Sequence, residues 1–433
     1  MDHPNGLRAL AYFDTLFPDD QTETPANQSI MDQIASFDGF GQRTEVVHEG
    51  GIPYFVNEFW TSGQRKGHSI HEVSYRACFK PQLPEFFIRR LTEPGDAVLD
   101  PFMGRGTTPV EAGLHHRRAL GNDINPLSVL LTRPRLRTPT YRDVQKALMQ
   151  IDWTATADVP SDLLAFYHPE TLRRICVLRD HLLRHAPLDD ESPDPALDWI
   201  RMISINRLTG HSTGFFSVYS LPPNQAVSVD AQRKINEKRK QVPPQRDLVS
   251  IILKKTRTLL RSGEPGHADY CLSVGAADDL HLVPDASVAL TVTSPPFLDI
   301  VQYADDNWLR GWFAGIDASS VSISMHRTET AWEAMVRSVL TEQARVLRPG
   351  GHVAFEVGEV RNGKVLLEQA VWRAATGLPF ERLGVMINQQ EFTKTANCWG
   401  VRNNAKGTNT NRIVLLRRLG ERTEDRRASS ASR

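Results

Sequence analysis

Two short stretches of the chain hold residue types whose spacing can do chemistry. In the first, Val98-Leu99-Asp100-Pro101-Phe102-Met103-Gly104-Arg105-Gly106-Thr107-Thr108 places a glycine-rich turn between an apolar run and a helical pattern. Glycine lets backbone come close to a ligand, and the helix start that follows exposes N–H groups. Taken alone, a tight turn that needs glycine for its dihedrals explains this pattern equally well. Asp123 ends the next apolar run about 20 residues on, where a carboxylate can accept both ribose hydroxyls of a nucleoside. The turn reads Gly-x-Gly-Thr-Thr rather than Gly-x-Gly-x-x-Gly, which disfavours a pyrophosphate.

The second stretch is Thr293-Ser294-Pro295-Pro296-Phe297, directly after the apolar run Val288 to Thr293. Consecutive prolines stiffen the turn and leave the carbonyls of Ser294 and Pro295 without competing backbone partners. Two rigid acceptors beside an aromatic ring suit a planar base with an exocyclic amine: the carbonyls take the N–H hydrogens and Phe297 stacks. A plain turn also explains Pro-Pro, but not its place at a strand's carboxyl edge beside a nucleoside-binding turn, where open α/β sheets bind ligands.

The elements that must position these turns read as alternating strand and helix. Phe86, Phe87, Ile88 and Leu91 have helical spacing, and Pro94-Gly95 ends that helix before the strand at 97–99. A helix over 107–116, a strand over 118–123 and the start of a helix at 126–131 follow. The rhythm stops near Arg137 and resumes at Asp269 with strands at 270–274 and 288–293. A helix over 332–347, a strand at 353–357, a helix over 366–375 and strands at 383–387 and 412–416 complete a seven-stranded α/β sheet with one large, largely helical insertion. The expected division is a 1–70 N-terminal arm or cap, a 71–136 half that carries the glycine-rich turn, a 137–267 insertion, a 268–418 half that carries the Ser-Pro-Pro turn and a disordered 419–433 tail.

The insertion is expected to have a helix over 163–183 and carries a basic stretch, 233–261, with ten Lys and Arg. Lys234, Lys238, Arg239 and Lys240 could track phosphates, with Arg207 and His211 in a neighbouring run of small and hydrogen-bonding residues. A solvated helix face is the plainer account of such a run. Location matters, because 51 basic residues balance 51 acidic ones and the molecule as a whole offers a polyanion no attractive field.

Composition narrows the classes: 433 residues, 40% hydrophobic and 24% charged, is ordinary for a globular chain and excludes wholesale disorder. Cys78, Cys176, Cys271 and Cys398 form no CxxC pair, so neither a disulfide framework nor a structural zinc site is expected. His68 with His71, and His115-His116, show no partnering carboxylate pattern, so no metal is expected. The start of the chain lacks a signal pattern and no run is long enough to span a bilayer, so the expected location is cytoplasmic, with no membrane partner.

Together the two motifs resemble the S-adenosylmethionine-dependent DNA amino-methyltransferases. Asp100 to Thr108 looks like their cofactor motif and Thr293 to Phe297 like the catalytic motif of the cytosine-N4 branch; the adenine-N6 branch more often has Asp or Asn where Ser294 stands. Ala77-Cys78-Phe79-Lys80-Pro81 is similar to the motif that closes over the methionine end of the cofactor. The resemblance implies a Rossmann-like sheet and S-adenosylmethionine held by Phe79, Asp100, Pro101, Phe102, Gly104, Gly106, Thr107 and Asp123. Members often read Gly-Asp-Ala before the fourth strand; here Gly275-Ala276-Ala277-Asp278 makes Asp278 the corresponding carboxylate for the cofactor adenine.

The resemblance further implies Ser294, Pro295, Pro296 and Phe297 as the catalytic residues of direct, site-specific methyl transfer to the N4 amine of cytosine in DNA. Adenine-N6 methylation is the nearest rival, followed by an RNA or a protein amide as substrate, or a non-catalytic cofactor-sensing DNA-binding protein. The implied partner is DNA, single-stranded or double-stranded with base flipping, and a cognate restriction endonuclease is the implied companion. No covalent intermediate is needed, consistent with the absence of a Pro-Cys pair: Ala77, Ile175, Tyr270 and Asn397 precede the four cysteines.

Overall fold

The computed structural model describes residues 29–60, 67–75, 78–220, 226–296, 303–317, 321, 326–360, 365–389 and 410–420. Its strands are β1 (Glu45–Glu49), β2 (Ile52–Asn57), β3 (Ala97–Asp100), β4 (Arg118–Asp123), β5 (Tyr270–Val274), β6 (Val288–Thr293), β7 (Leu347–Val357), β8 (Glu359–Val360), β9 (Val365–Leu366), β10 (Phe380–Gln389) and β11 (Thr410–Arg418). Nine of them form one sheet in the order β1-β2-β10-β11-β7-β6-β3-β4-β5, and β8 and β9 pair separately.

The centre of the sheet is parallel. β3 lies between β4 and β6, with β5 beyond β4 and β7 beyond β6, all in one direction, whereas β11 runs antiparallel between β7 and β10. Strands β3 and β6 are buried throughout. Parallel strands are covered on both faces and so read in sequence as unbroken apolar runs, which is why their positions are legible. The chain leaves β3 toward β4 and β5 on one side and returns to β6 and β7 on the other. Strand order therefore reverses beside β3, and such a reversal opens a crevice at the carboxyl edge.

The main sheet has two strands more than the seven expected. Residues 45–57, expected in an arm or cap, form a hairpin that extends the sheet, with β2 parallel to β10 and Tyr54 opposite Val385. Sequence pattern hid it for two reasons: all five residues of β1 are exposed, and Pro53 in β2 removes a ladder donor.

Each sheet face has its own core. Leu99, Val288, Val353, Phe355 and Val414 pack with the helices Glu329–Val346 and Leu367–Ala374 through Trp332, Val336, Leu340, Leu367 and Val371. On the other face Val98, Leu290, Val292 and Ile413 share one cluster with Phe166, Leu172, Trp199 and Ile203 of the insertion. Full burial of such side chains stabilises by about 1.5–3 kcal/mol each. The insertion is thus built onto the sheet's core. Its first expected helix begins later than its apolar spacing suggests, at Pro169, where His168 Nδ1 caps the Glu170 N–H after a short 3-10 turn, Ser161–Ala165. The basic stretch divides into Val229–Arg239 and Leu248–Leu259 around Pro243-Pro244, with Lys240 in a left-handed cap at φ +50°.

Candidate active site

Four strand ends converge on one cavity of about 320 Å3 at the carboxyl edge, beside the reversal. Of the expected residues, Pro101, Phe102, Gly104, Asp123, Asp278, Ser294 and Pro296 line it. Gly104 and Asp123 are joined: the Gly104 N–H donates to Asp123 Oδ2 at 2.8 Å, and the Asn125 N–H donates to Asp123 Oδ1 at 2.9 Å. Burial raises the Asp123 carboxyl pKa, opposed by these two bonds and by Ser128. Each carboxylate oxygen keeps a further lone pair, which suits a ligand diol. Gly104 has φ +51°, and a Cβ there would come within 3.6 Å of the Tyr75 ring.

The remaining cofactor candidates support the cradle from behind. Asp100 is 1% exposed; its Oδ1 accepts from Thr293 Oγ1 at 2.6 Å and from the Phe102 N–H at 3.1 Å. Burial pushes its carboxyl up to about 7, against the bonds from Thr293, Phe102 and Thr108. Gly106 caps the helix Thr107–Leu114 at φ +73°, and a Cβ on it would lie 2.7 Å from Thr132 Cβ. Thr107 Oγ1 accepts from Arg105 Nε at 3.1 Å, while the Arg105 guanidinium also donates to the carbonyls of Val73 (3.0 Å) and Phe79 (3.2 Å). Phe79 is thereby tied over the glycine turn without being part of the cavity wall.

Sequence reasoning missed Tyr75, Asn125, His326, Met335 and Val339, all of which line the cavity. Asn125 Nδ2 donates to Tyr75 Oη at 3.3 Å. Asn122 Nδ2 donates to the carbonyls of Gly275 (2.9 Å) and Ala276 (3.3 Å), holding the loop that brings exposed Asp278 to the rim. Among the described lining residues there are two carboxylates and neither Lys nor Arg. That balance suits a cationic nucleoside better than a pyrophosphate. Phe102, Ile124, Met335 and Val339 supply apolar surface for a base. The donor set and the open space at Gly104 therefore fit S-adenosylmethionine.

The Ser-Pro-Pro turn forms the facing wall. Ser294 and Pro296 line the cavity; Pro295 is buried behind them, and Phe297 lies outside the described residues. Fully buried Trp332 anchors the turn, its Nε1–H donating to the Pro296 carbonyl at 2.9 Å. Nothing in the local sequence of Trp332 marks this role. Its 3.6-residue apolar spacing announces only a core position.

The insertion's candidates lie apart from the cavity wall. Lys234, Lys238, Arg239 and Lys240 are exposed, and the Arg239 guanidinium stacks 3.7 Å over the Tyr219 ring. Arg207 is instead held 4.1 Å over the buried Phe215 ring, and burial lowers its pKa to about 10. His211 is exposed beside the same ring, with centroids 6.1 Å apart. Elsewhere in the basic stretch Arg233 pairs with Asp162 and Asp230, and Lys255 and Arg261 pair with Glu72.

Two histidines without an evident sequence partner do have carboxylates beside them. His71 Nε2 meets Glu111 Oε2 at 2.6 Å, and His115 Nε2 lies 3.4 Å from Glu111 Oε1 and 3.8 Å from Glu85 Oε1. Burial works against ionised Glu111, but the two histidines overcome it and lower its pKa; burial and Glu111 together raise that of Glu85. The group joins the turn Ser69–His71 to the helices Gln82–Leu91 and Thr107–Leu114. His71 and Glu85 come to Glu111 from separate elements, which spacing does not reveal, whereas Glu111 and His115 are an i,i+4 pair of one helix end. Among the described residues no helix is long and apolar enough to cross a membrane.

Comparison with known proteins agrees with this geometry over the cradle. Residues 27–131 match the model of a family described as DNA methylase. The chain is 36% identical over 84 residues to the Type II methyltransferase M.MjaII of Methanocaldococcus jannaschii, covering 19% of this chain and 16% of that protein. It is 42% identical over 82 residues to M.XycI of Xanthomonas campestris pv. cyanopsidis, 17% of this chain and 27% of the relative. The matches thus span about a sixth to a quarter of these relatives' own lengths. A SAM-dependent methyltransferase from Methanosarcina mazei aligns with 77% of this chain and 98% of its own at 11% identity, with a TM-score of 0.33, too low to bear on function.

Proposed function

We propose that the protein is an S-adenosylmethionine-dependent DNA amino-methyltransferase that modifies the N4 amine of cytosine. The observation that carries this reading is the opening of the Gly104–Asp123 cradle and the Ser294-Pro295-Pro296 turn onto one cavity. The relatives' description as Type II methyltransferases supports DNA as the substrate class.

Bound S-adenosylmethionine supplies an electrophilic methyl group. Asp123 would accept the ribose hydroxyls, the Gly104 backbone would give the ligand room, and Asp278 at the rim would meet the adenine. What is left to the chain is alignment and preparation of the amine. An exocyclic amine shares its lone pair with the ring, so acceptors that take both N–H hydrogens favour localising that pair on nitrogen. The carbonyls of Ser294 and Pro295 fill that role, with Trp332 keeping the turn in place and Phe297 stacking on the base. Holding nitrogen and methyl carbon in line turns a bimolecular encounter into an intramolecular one. Within a duplex the base must be flipped at a cost of a few kcal/mol, offset by phosphate contacts from the exposed Lys238, Arg239 and Lys240.

Serine at 294 is a shorter and weaker acceptor than Asp or Asn, which leaves the amine to backbone carbonyls, an arrangement that the resemblance to the cytosine-N4 branch associates with cytosine. The deciding experiment is mass spectrometry of nucleosides from DNA of diverse sequence incubated with protein and isotope-labelled cofactor. Labelled N4-methylcytosine is the expected product. N6-methyladenine alone would keep the enzyme class and reject the base; no labelled nucleoside would reject DNA as substrate.

A further inference from the structure

Away from the cavity wall, two buried carboxylates and an imidazole converge between two helices. Glu85, on the helix Gln82–Leu91, and Glu111, on Thr107–Leu114, are 5% and 3% exposed. His115 closes the end of the second helix one turn beyond Glu111, so these two side chains share a face. Its Nε2 lies 3.4 Å from Glu111 Oε1 and 3.8 Å from Glu85 Oε1, and one donor atom from each of the three residues lies within 4.8 Å of the others. Glu85 Oε1 is buried with no hydrogen-bond partner, and Arg89 Nη1 stands off at 3.5 Å on a side chain 41% exposed. A buried carboxylate oxygen beside a second carboxylate is costly to leave in that state.

Donors held by zinc at its usual bond lengths stand about 3.3–3.5 Å apart. The His115–Glu111 edge is already at that spacing, and the His115–Glu85 edge needs only a small side-chain shift. Charge fits as well, because two carboxylates and a neutral imidazole around a dication sum to zero. One nitrogen donor with two oxygens suits a borderline cation such as Zn2+ better than Mg2+ or Ca2+, which take oxygen ligands. His71 Nε2–H donates to Glu111 Oε2 at 2.6 Å, which leaves Oε1 to face the other two donors. We propose that Glu85, Glu111 and His115 form a zinc site, with His71 positioning Glu111. The other Glu85 oxygen or a water would complete four donors. None of these four residues lines the cavity, so the metal's role is structural. One of the joined helices starts from Gly106 in the glycine turn, and the other follows the Phe79 segment that Arg105 ties over that turn. The site does not depend on the methyltransferase reading.

Full-length protein stripped with a chelator and titrated with ZnCl2 should bind one Zn2+ per chain by calorimetry. Its thermal midpoint should rise by about 3–5 °C at free zinc about 100-fold above the dissociation constant, and MgCl2 should give no such rise. Glu85→Gln relieves the like-charge pair and keeps the side-chain volume, so its metal-free midpoint should be no lower than that of the wild type. Zinc affinity should nevertheless fall at least tenfold in Glu85→Gln and in His115→Gln. X-ray absorption at the zinc edge, on the wild type alone, should show nitrogen and oxygen at about 2.0–2.1 Å, including one imidazole, and no sulfur. No binding at micromolar zinc, or a shell containing sulfur, would overturn the proposal. So would affinity unchanged in both variants, which is the result expected of an adventitious ion held by exposed histidines.

Discussion

Asp100 at the end of β3 accepts a 2.6 Å hydrogen bond from Thr293 Oγ1 at the end of β6, joining the start of the nucleoside cradle to the start of the Ser-Pro-Pro turn. The two motifs stand 193 residues apart in the chain, yet this bond sets their separation in space. Asp100 thus acts as a brace behind the cavity, and its cost is visible in its titration. Burial raises its carboxyl from 3.8 to about 7. Between those values the folded protein keeps a proton that the unfolded chain releases, so this contribution is fully present below 3.8 and lost as pH rises through about 7.

Asp100→Asn cannot ionise and removes that dependence. Relative to the variant, the wild type should lose stability between pH 4 and 7, by at most about 4 kcal/mol. Urea midpoints of both proteins across that range provide the check, and a difference that is flat or grows with pH would contradict the buried, protonated carboxyl.

The two glycines of the turn should separate into a binding residue and a folding residue. Gly104→Ala places a methyl beside Tyr75 in left-handed backbone, costing about 1–2 kcal/mol and intruding on the ligand's space. Gly106→Ala drives its methyl into Thr132, away from the cavity. Calorimetry should show at least tenfold weaker cofactor binding for the first with its fold retained, whereas the second should lose stability by more than the dihedral cost alone. Near-normal affinity in Gly104→Ala would count against the cradle.

Trp332→Phe removes the N–H that holds the Pro296 carbonyl while keeping most of the apolar volume. An acceptor deprived of its buried partner costs about 1–3 kcal/mol. The expected result is a lower thermal midpoint together with a kcat reduced about tenfold, and cofactor affinity within twofold. A variant with wild-type kcat would mean that the prolines alone hold the turn.

What could be read from the sequence follows the physics of each element. β3, β4, β5 and β6 are legible because buried parallel strands are continuous apolar runs, and their ends locate Asp100, Asp123 and Ser294. The residues missed belong to positions where local pattern speaks of something else. Met335 and Val339 have the spacing of ordinary core residues, and Tyr75 lies in a loop. The β1–β2 hairpin was obscured because an edge strand need not be apolar. Glu111 illustrates the same limit through His71, which reaches it from a turn 40 residues upstream, whereas His115 four residues on is within reach of helical spacing.

The last prediction concerns the insertion, whose basic stretch separates by exposure into residues held by the protein and residues turned to solvent. Arg233, Lys255 and Arg261 are engaged by acidic neighbours, so their charge is already compensated. Lys238, Arg239 and Lys240 end one helix together, all exposed, with Arg239 braced on Tyr219. Replacing them with Gln, Gln and Asn removes three charges, and Asn tolerates the left-handed backbone at 240. If all three meet phosphates, the slope of log K against log salt should become shallower by about 3, with cofactor affinity unchanged. The loss should be similar across DNA sequences, since phosphates carry no base identity. Fluorescence anisotropy over a salt series reads the slope directly, and a slope equal to the wild type would place the DNA contacts away from this helix end.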